Sequence, residues 1–389
     1  MSTKHLLLAL GAFFVCGQAV AQLDNRALEA KQPVKPAQAG ELQLGLSALG
    51  YQKNNEYFND IAEGYTLFGY HLNPRLTYFA SEHVRVDAGV QVQKDFGSKR
   101  YSLMQPTFTI RYEKDDIALI FGTLQGNVHH GYIEPLYDFE RLMTNRLENG
   151  LQVLINKPNA KVDIWLDWQR YLQRFDPFQE EVAGGVSAEL GLYRTPVSLS
   201  FPEQKPKTET YIGLPLQFTA QHRGGQIDMT ELPLVTLANV AAGLVIRKTY
   251  DRKVLKALHF QPYVVGWKDF SNVTEFPFQQ GGGIYLNAGI DTKYQNVMLS
   301  YWRGSGYYAE LGGKLFSSVS NNFKTPAFTD KTRQLLILRF LHDLNLMDGL
   351  TLTMRLEPYL DLDRPELEFA NSLYLNFNTD IFLARLKKR

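Results

Sequence analysis

Segment 126–149 concentrates acidic and aromatic side chains in a stretch with neither the two-residue period of a strand nor a clean helical period. Its carboxylates include Glu134, Asp138 and Glu140. Alternating segments flank it on both sides, and a long irregular insertion between strands is more often functional than a simple connector. The segment is therefore predicted to be a loop that folds into a pore.

The elements that must position this loop show a hydrophobic period of two, which begins at Glu41 and persists to the C-terminus. Each alternating segment has one apolar face, and its charged residues fall on the opposite face. The arginines on those opposite faces include Arg75, Arg85, Arg111, Arg339 and Arg355. A charge on the lipid face of a membrane barrel costs roughly 2–4 kcal/mol near the midplane, so this one-sided distribution fits a membrane barrel.

The alternating segments number about sixteen, and single-chain bacterial barrels have an even number of strands. Short turns such as 113–116 alternate with long segments such as 304–331. We therefore predict an all-β fold, a transmembrane antiparallel β-barrel of about 16 strands with short periplasmic turns and long extracellular loops. Segment 194–210 is long although it falls on the short side. It is either an elaborated turn or contains an extra strand around 197–201.

The N-terminus has the order of a secretory signal peptide, with Lys4, an apolar run and the small residues Ala19 and Ala21. Cleavage is expected after Ala21.

The predicted organisation is therefore a signal peptide at 1–21, a polar periplasmic lead-in at 22–40 and an outer-membrane barrel at 41–389. Cys16 belongs to the signal peptide, so the mature chain is expected to lack cysteine ligands and nucleophiles. The predicted location is the bacterial outer membrane.

Composition narrows the functional classes. The net charge of +1 argues against a nucleic-acid partner. The hydrophobic content of 44% fits a soluble exported protein and a barrel with a wet lumen equally well. Beyond the signal peptide no apolar stretch reaches about 18 residues, which argues against a transmembrane helix.

As a pattern, residues 41–389 resemble Gram-negative outer-membrane β-barrels, and most nearly the sixteen-stranded porins. In those proteins the third long loop, between the fifth and sixth strands, folds inward and narrows the channel. Segment 126–149 occupies that place in the count. The resemblance implies a candidate pore-lining set in which loop carboxylates face a wall of arginines and select solutes by charge and size. The set comprises Glu134, Asp138, Glu140, Arg75, Arg85, Arg111, Arg339 and Arg355.

Two features differ from the porin pattern. The Pro-Glu-Phe-Gly-Gly run of porin constriction loops is replaced by Ile-Glu-Pro-Leu-Tyr-Asp-Phe, at 133–139. The chain also ends in Leu-Lys-Lys-Arg, where porins close on an aromatic residue. A more distant barrel family fits these features.

No catalytic, cofactor-binding or metal-binding residue is predicted. His129 and His130 are adjacent, so their side chains point apart, and no third ligand stands nearby. Gly304-Ser305-Gly306 lacks the Gly-x-Ser-x-Gly spacing of a nucleophile elbow. Histidines from separate strands that meet in space remain the enzymatic alternative. Trp165, Trp267 and Trp302 have lumen-facing parity and are expected to pack there, with sugar stacking as the alternative.

The sequence favours a channel for passive diffusion of small hydrophilic solutes, with loop 126–149 as its constriction. The alternative is a closed or plugged barrel that binds a partner within an outer-membrane assembly or transport complex. The expected partners are outer-membrane lipid, small hydrophilic solutes and either further copies of the chain or an outer-membrane protein complex. No cofactor is expected.

Overall fold

The computed structural model describes residues 25–29, 33–125, 130–195, 208–274 and 276–386. The strands are β1 (Glu41–Glu56), β2 (Tyr65–Phe79), β3 (Val84–Asp95), β4 (Leu103–Lys114), β5 (Ile117–Thr123), β6 (Asn149–Lys157), β7 (Ala160–Arg170), β8 (Glu181–Arg194), β9 (Thr208–Arg223), β10 (Val235–Gly243), β11 (Val245–Tyr250), β12 (Leu255–Asp269), β13 (Gln280–Thr292), β14 (Asn296–Ser305), β15 (Thr332–Met347), β16 (Leu350–Asp361) and β17 (Glu366–Arg385). One α-helical turn, α1 (Arg141–Thr144), and short 3-10 turns at Arg26–Leu28, Pro36–Gln38 and Lys314–Phe316 complete the described elements. Among the described residues, no helix has the length and apolar character needed to cross a membrane.

The strands form one closed antiparallel sheet, in which β17 pairs with β1 to complete the circle. Strands β10 and β11 both pair with β9 and β12, so they are two halves of a single pass. Leu244 interrupts that pass and donates its N–H to the carbonyl of Pro262 at 3.0 Å. The fold is thus the predicted barrel of 16 passes, with one pass divided into two strands. The possible extra strand at 197–201 lies outside the described residues.

Side chains alternate between the outside of the barrel and its lumen, because successive residues of a strand point to opposite faces. On β2, Leu76 is 47% exposed on the outside, whereas the flanking Arg75 and Thr77 are buried inside. Other exposed apolar residues continue the outer belt; they include Phe108, Leu119, Leu151, Phe218, Leu299 and Leu375. An apolar belt around a closed barrel fits contact with lipid, as the sequence predicts for a membrane barrel.

The two rims differ in the lengths of their connections. One rim has tight turns, such as Asp115-Asp116 and Asp348-Gly349. Asp115 and Gly349 adopt φ values of 52° and 76° there, in the left-handed region that glycine and aspartate tolerate. The opposite rim carries the long connections 57–64, 124–148 and 306–331. Short turns face the periplasm in outer-membrane barrels, and this assigns the long loops to the cell exterior.

The main hydrophobic cluster lies inside the barrel, where two long loops meet the wall. Loop 124–148, called the first loop below, contributes Tyr132, Ile133, Leu136 and Tyr137. Loop 306–331, called the second loop, contributes Tyr307, Leu311 and Phe316. The wall of the barrel contributes Trp165, Trp267 and Trp302. All of these side chains are buried. The three tryptophans therefore pack in the lumen, and the two loops fill its centre.

A short N-terminal segment, residues 25–29, also enters the barrel. Leu28 is buried in a second cluster with Leu142 and Met143 of the first loop and Tyr374 of the wall. The Asn376 side-chain amide donates to the carbonyl of Ala27 at 2.6 Å. The segment therefore packs against the first loop inside the barrel. The predicted signal peptide lies outside the described residues.

Candidate functional site

Loop 124–148, the first loop, connects β5 to β6, as predicted for the third long loop, and it crosses the lumen to the wall formed by β8 and β9. Gln217 of β9 accepts the N–H of Ile133 at 3.0 Å and donates to the carbonyl of Gly131 at 3.0 Å. The Tyr132 hydroxyl donates to the carbonyl of Phe218 at 3.0 Å. A Cβ at Gly185 would lie only 2.4 Å from that hydroxyl, so this close approach requires glycine on the wall.

The second loop packs on the first loop through hydrogen bonds to the backbone of the first loop. The Tyr307 hydroxyl donates to the carbonyl of Pro135 at 2.9 Å. The N–H of Gly313 donates to the carbonyl of Glu134 at 2.9 Å, and the N–H of Asp138 donates to that of Leu311 at 2.7 Å. The two loops therefore dock as one unit.

A group of four ions, here called the anchor cluster, fixes the tip of the first loop to β15 and β16. Glu134 accepts from Arg355 at 2.5 Å and from Arg339, while Glu357 accepts from the same two arginines at 2.7 and 2.8 Å. The two arginines are 2% and 1% exposed. Burial alone would raise the pKa of Glu134, but Arg339 and Arg355 outweigh burial and lower it. Two carboxylates balance two guanidinium groups.

A second buried ion pair holds the loop at Glu140. Its carboxylate accepts from Lys53 at 2.5 Å, from Asn55 at 2.7 Å and from the Tyr65 hydroxyl. Burial raises the pKa of Glu140, but Lys53 outweighs it, so the net shift is downward. Lys53 was not among the predicted site residues. Lys53 lies two residues after Tyr51 on β1, so both side chains face the lumen, and this alternation is the feature of the sequence that could have identified Lys53.

Asp138 differs from the two glutamates. It accepts the N–H of Glu140 at 2.9 Å, and within the described part of the chain it forms no ion pair with an arginine. Burial, reinforced by the nearby Glu140 carboxylate, raises the pKa of Asp138 to about 7. The three predicted loop acids thus have three different environments.

His130 fastens the first half of the loop to the wall. Its Nδ1 lies 2.9 Å from Asp163 and its Nε2 lies 2.5 Å from Glu148, and the ring stacks on Trp165 at 4.7 Å. Burial lowers the pKa of His130, but Glu148 and Asp163 outweigh it and raise the pKa to about 10. Both ring nitrogens bind carboxylates, so this histidine is a structural cation and not a free general base. His129 lies outside the described residues.

The remaining predicted arginines do not meet the loop carboxylates. Arg75 pairs with Asp380 at 2.9 Å, Arg85 with Asp87 at 2.9 Å, and Arg111 with Glu113 at 2.8 Å.

These three arginines line a cavity of about 130 Å³ on the periplasmic side of the first loop. A fourth arginine, Arg146, enters the cavity from the loop itself. We call this space the arginine cavity. Arg146 was missed because it lies in the irregular segment, where parity gives no direction.

A second, wider cavity opens toward the cell exterior. It has a volume of about 520 Å³ and is lined by polar residues at the upper ends of β3, β4 and β7; these include Gln93, Asp95, Gln105, Asp167 and Gln169. Arg146 and Leu147 line this outer cavity and the arginine cavity alike. These two residues therefore stand between the two polar spaces.

The family model for proteins described as lipid A 3'-O-deacylase-type matches residues 34–386. The chain belongs to this family. A search of curated proteins gave no match.

Solved structures resemble this deacylase-type barrel in fold. The outer membrane protein OprD of Pseudomonas aeruginosa is 10% identical with a TM-score of 0.51, over 92% of this chain and 99% of that one. An anion-selective porin from Comamonas acidovorans is 8% identical with a TM-score of 0.49, over 87% and 100% of the two chains. At 10% identity, the likeness to OprD shows the barrel fold alone.

Proposed function

We propose that this lipid A 3'-O-deacylase-type barrel is a narrow channel for small hydrophilic solutes across the outer membrane. The observation that carries the proposal is the pair of polar cavities separated by Arg146 and Leu147. Because the two docked loops fill the centre of the lumen, the solute route follows the wall formed by β2 to β6. A polar lining along such a route replaces part of the hydration of a passing solute.

In this proposal the eight predicted pore-lining residues divide into two sets. Arg75, Arg85 and Arg111 line the route. The other five, Glu134, Asp138, Glu140, Arg339 and Arg355, hold the first loop in place and so set the width of the route indirectly.

The test is conductance of the purified full-length protein in planar bilayers, with Leu147 as the probe of the route. We expect discrete conductance steps that decrease in Leu147→Trp and increase in Leu147→Ala. The matched control is Leu375→Ala, because Leu375 is an exposed residue of the outer belt. Absence of both conductance steps and solute flux into liposomes would overturn the channel. A non-conducting barrel that co-purifies with a stoichiometric protein would support the partner-binding role instead.

The family match favours a second candidate function, removal of an acyl chain from lipid A. Among the described histidines, only His222 is exposed. It lies near the extracellular end of β9, and it points to the outside of the barrel as Phe218 does. Its Nδ1 lies 2.9 Å from the Thr236 hydroxyl. This position faces the outer leaflet, whereas the buried His130 does not.

Mass spectrometry of lipid A tests this second candidate. Cells that express the protein should yield lipid A lighter by one acyl chain, and cells that express His222→Gln should not. His83→Gln, at a periplasmic turn, is the matched control. Unchanged lipid A masses in every strain would exclude this activity.

A further inference from the structure

The lining of the arginine cavity is unbalanced in charge. Four guanidinium groups line it, from Arg75, Arg85, Arg111 and Arg146, against the single lining carboxylate of Asp87. Two further carboxylates contact the group from outside the lining: Asp380 bonds Arg75, and Glu113 bonds Arg111. Among the described residues, three carboxylates pair with this group of four arginines, which leaves an excess of one positive charge.

Two of these arginines also present buried donors that no group of the described chain accepts. Nη1 of Arg85 and Nη1 of Arg146 are both buried without a hydrogen-bond partner, and Arg85 as a whole is 7% exposed. An unsatisfied buried donor is costly, and native structures rarely leave one without a reason. Burial lowers the pKa of Arg146 to about 10, and no carboxylate offsets that shift. The group still carries its charge at neutral pH.

We propose that the arginine cavity is a binding site for an oxyanion, the carboxylate or phosphate group of a small solute. The inference rests on the proposed channel, because a solute that passes Leu147 enters this cavity next. Guanidinium groups donate parallel N–H pairs that match the oxygens of carboxylate and phosphate. The free donors on Arg85 and Arg146 supply such contacts from the wall and from the loop.

The rest of the lining favours a compact polar ligand. Ser47 accepts from Arg75 at 2.7 Å, and Gln91, Thr107 and Thr109 add further polar groups. The described lining residues include no aromatic ring, so the cavity offers no stacking surface for a sugar or a base. A volume of about 130 Å³ admits one anionic group and a few waters.

Direct binding tests the site independently of transport. Isothermal titration calorimetry of the detergent-solubilised full-length protein uses inorganic phosphate and acetate as separate probes. We expect saturable binding of at least one probe, and about tenfold weaker binding in Arg85→Gln and in Arg146→Gln, since each removes a charge-assisted hydrogen bond. The probe that binds more tightly identifies the phosphate or the carboxylate as the preferred group.

The control is Arg364→Gln, which removes the same charge from a side chain that is 51% exposed at the outer rim. Heat-dependent gel mobility equal to that of the wild type confirms that each variant is folded. Failure of both probes to saturate would overturn the site. Unchanged affinity in folded Arg85→Gln and Arg146→Gln would overturn it equally.

Conductance separates this inference from the proposed channel. A protein that conducts but binds neither anion retains the channel and loses the anion site. A protein that binds phosphate or acetate without conducting retains the site and loses the channel. If both hold, millimolar concentrations of the bound anion should reduce the current in the wild type and in Arg364→Gln, and reduce it about tenfold less effectively in Arg146→Gln.

Discussion

The anchor cluster and the arginine cavity lie in the same lumen, and arginine is the main charged side chain of both. Arg339 and Arg355 meet two carboxylates, Glu134 and Glu357, and are almost wholly buried. In the arginine cavity, the first loop brings another cation, Arg146, toward three wall arginines. The anchor cluster is balanced in charge and lines a cavity of about 60 Å³, whereas the arginine cavity is positive and has a volume of about 130 Å³.

The difference teaches that the charge brought by the loop decides whether a group of lumenal arginines is balanced, because wall carboxylates pair with arginines in both regions. Where the loop supplies a carboxylate, the arginine becomes a structural tether, because a buried pair is held by geometry and mutual charge. Where the loop supplies a cation, Arg146, the charges of the neighbouring arginines are not balanced by the loop, and a larger space remains between them.

The largest effect is expected from breaking the anchor cluster with Arg355→Gln. Loss of one arginine leaves Glu134 and Glu357 to share Arg339, and removing one partner of a buried ion pair costs about 3–5 kcal/mol. Hydrogen exchange of the amides at 132–143, followed by mass spectrometry, should accelerate accordingly. Arg364→Gln breaks an exposed pair with Asp60 and should leave these amides protected. Equal exchange in the two variants would show that the cluster does not hold the loop.

A double-mutant cycle at Lys53 and Glu140 should show a smaller loss of loop protection, and the loss in the double variant should be less than the sum of the two single losses. Glu140→Gln leaves the buried ammonium of Lys53 without its carboxylate, and Lys53→Met leaves the carboxylate without its cation. The double variant removes both charges and should recover part of the loop protection, with a coupling of about 0.5–3 kcal/mol. Gln at 140 retains an oxygen for Asn55 and Tyr65. Strictly additive losses would contradict the ion-pair account.

Giving the arginine cavity a second lining carboxylate, beside Asp87, should bring its charge closer to the balance of the anchor cluster. In Ser47→Asp the new carboxylate replaces the hydroxyl that Arg75 already bonds at 2.7 Å. An opposite charge at that range is worth about 1 kcal/mol in a hydrated lumen, so the anion-to-cation permeability ratio should fall about fivefold. Reversal potentials in a salt gradient measure the ratio, with Ser47→Asn as the neutral control. A permeability ratio that is unchanged in Ser47→Asp would contradict the claim that the positive charge of the arginine cavity favours anions.

The smallest effect is a pH dependence of loop docking that arises from Asp138. Its pKa is raised to about 7 in the docked loop, above the ordinary value near 3.9, with Glu140, Lys53 and Glu134 as its charged neighbours. The docked loop therefore holds a proton that the undocked loop releases, and docking weakens as the pH rises from about 4 to about 7.

Asp138→Asn should flatten this dependence, because the amide oxygen still accepts the N–H of Glu140 and carries no charge. The measurement is hydrogen exchange of the loop amides at several pH values, corrected for intrinsic exchange rates. Protection that rises with pH in the wild type would reverse the sign and contradict the assignment.

Much of the barrel could be predicted from the sequence, because lipid and lumen demand opposite side chains at alternate positions. The count of 16 passes is confirmed, and the predicted third long loop, loop 124–148, does lie between β5 and β6. The two-strand pass at β10 and β11 could not be distinguished from a continuous strand, since the break at Leu244 leaves the apolar alternation readable. The pore-lining roles of the eight predicted residues stay predictions.

The candidate site was harder to predict than the fold. The two-residue alternation of the strands predicted that Arg75 and Arg339 face the lumen, but it gave no information on which acid each arginine would meet. Glu134 bonds Arg339 across 205 residues of sequence, whereas Arg75 bonds Asp380 across 305. Such partners depend on where the loop tip lies, and an irregular segment has no period from which to derive its path.

The sequence by itself determined which face of each strand meets lipid, because that choice is made residue by residue through the cost of exposing charge to hydrocarbon. Only the tertiary structure decided which carboxylate each lumenal arginine meets and where positive charge remains in excess. Electrostatic pairing acts over a few ångströms in space regardless of separation in sequence. The path of one loop therefore sets the environment of every charge it passes.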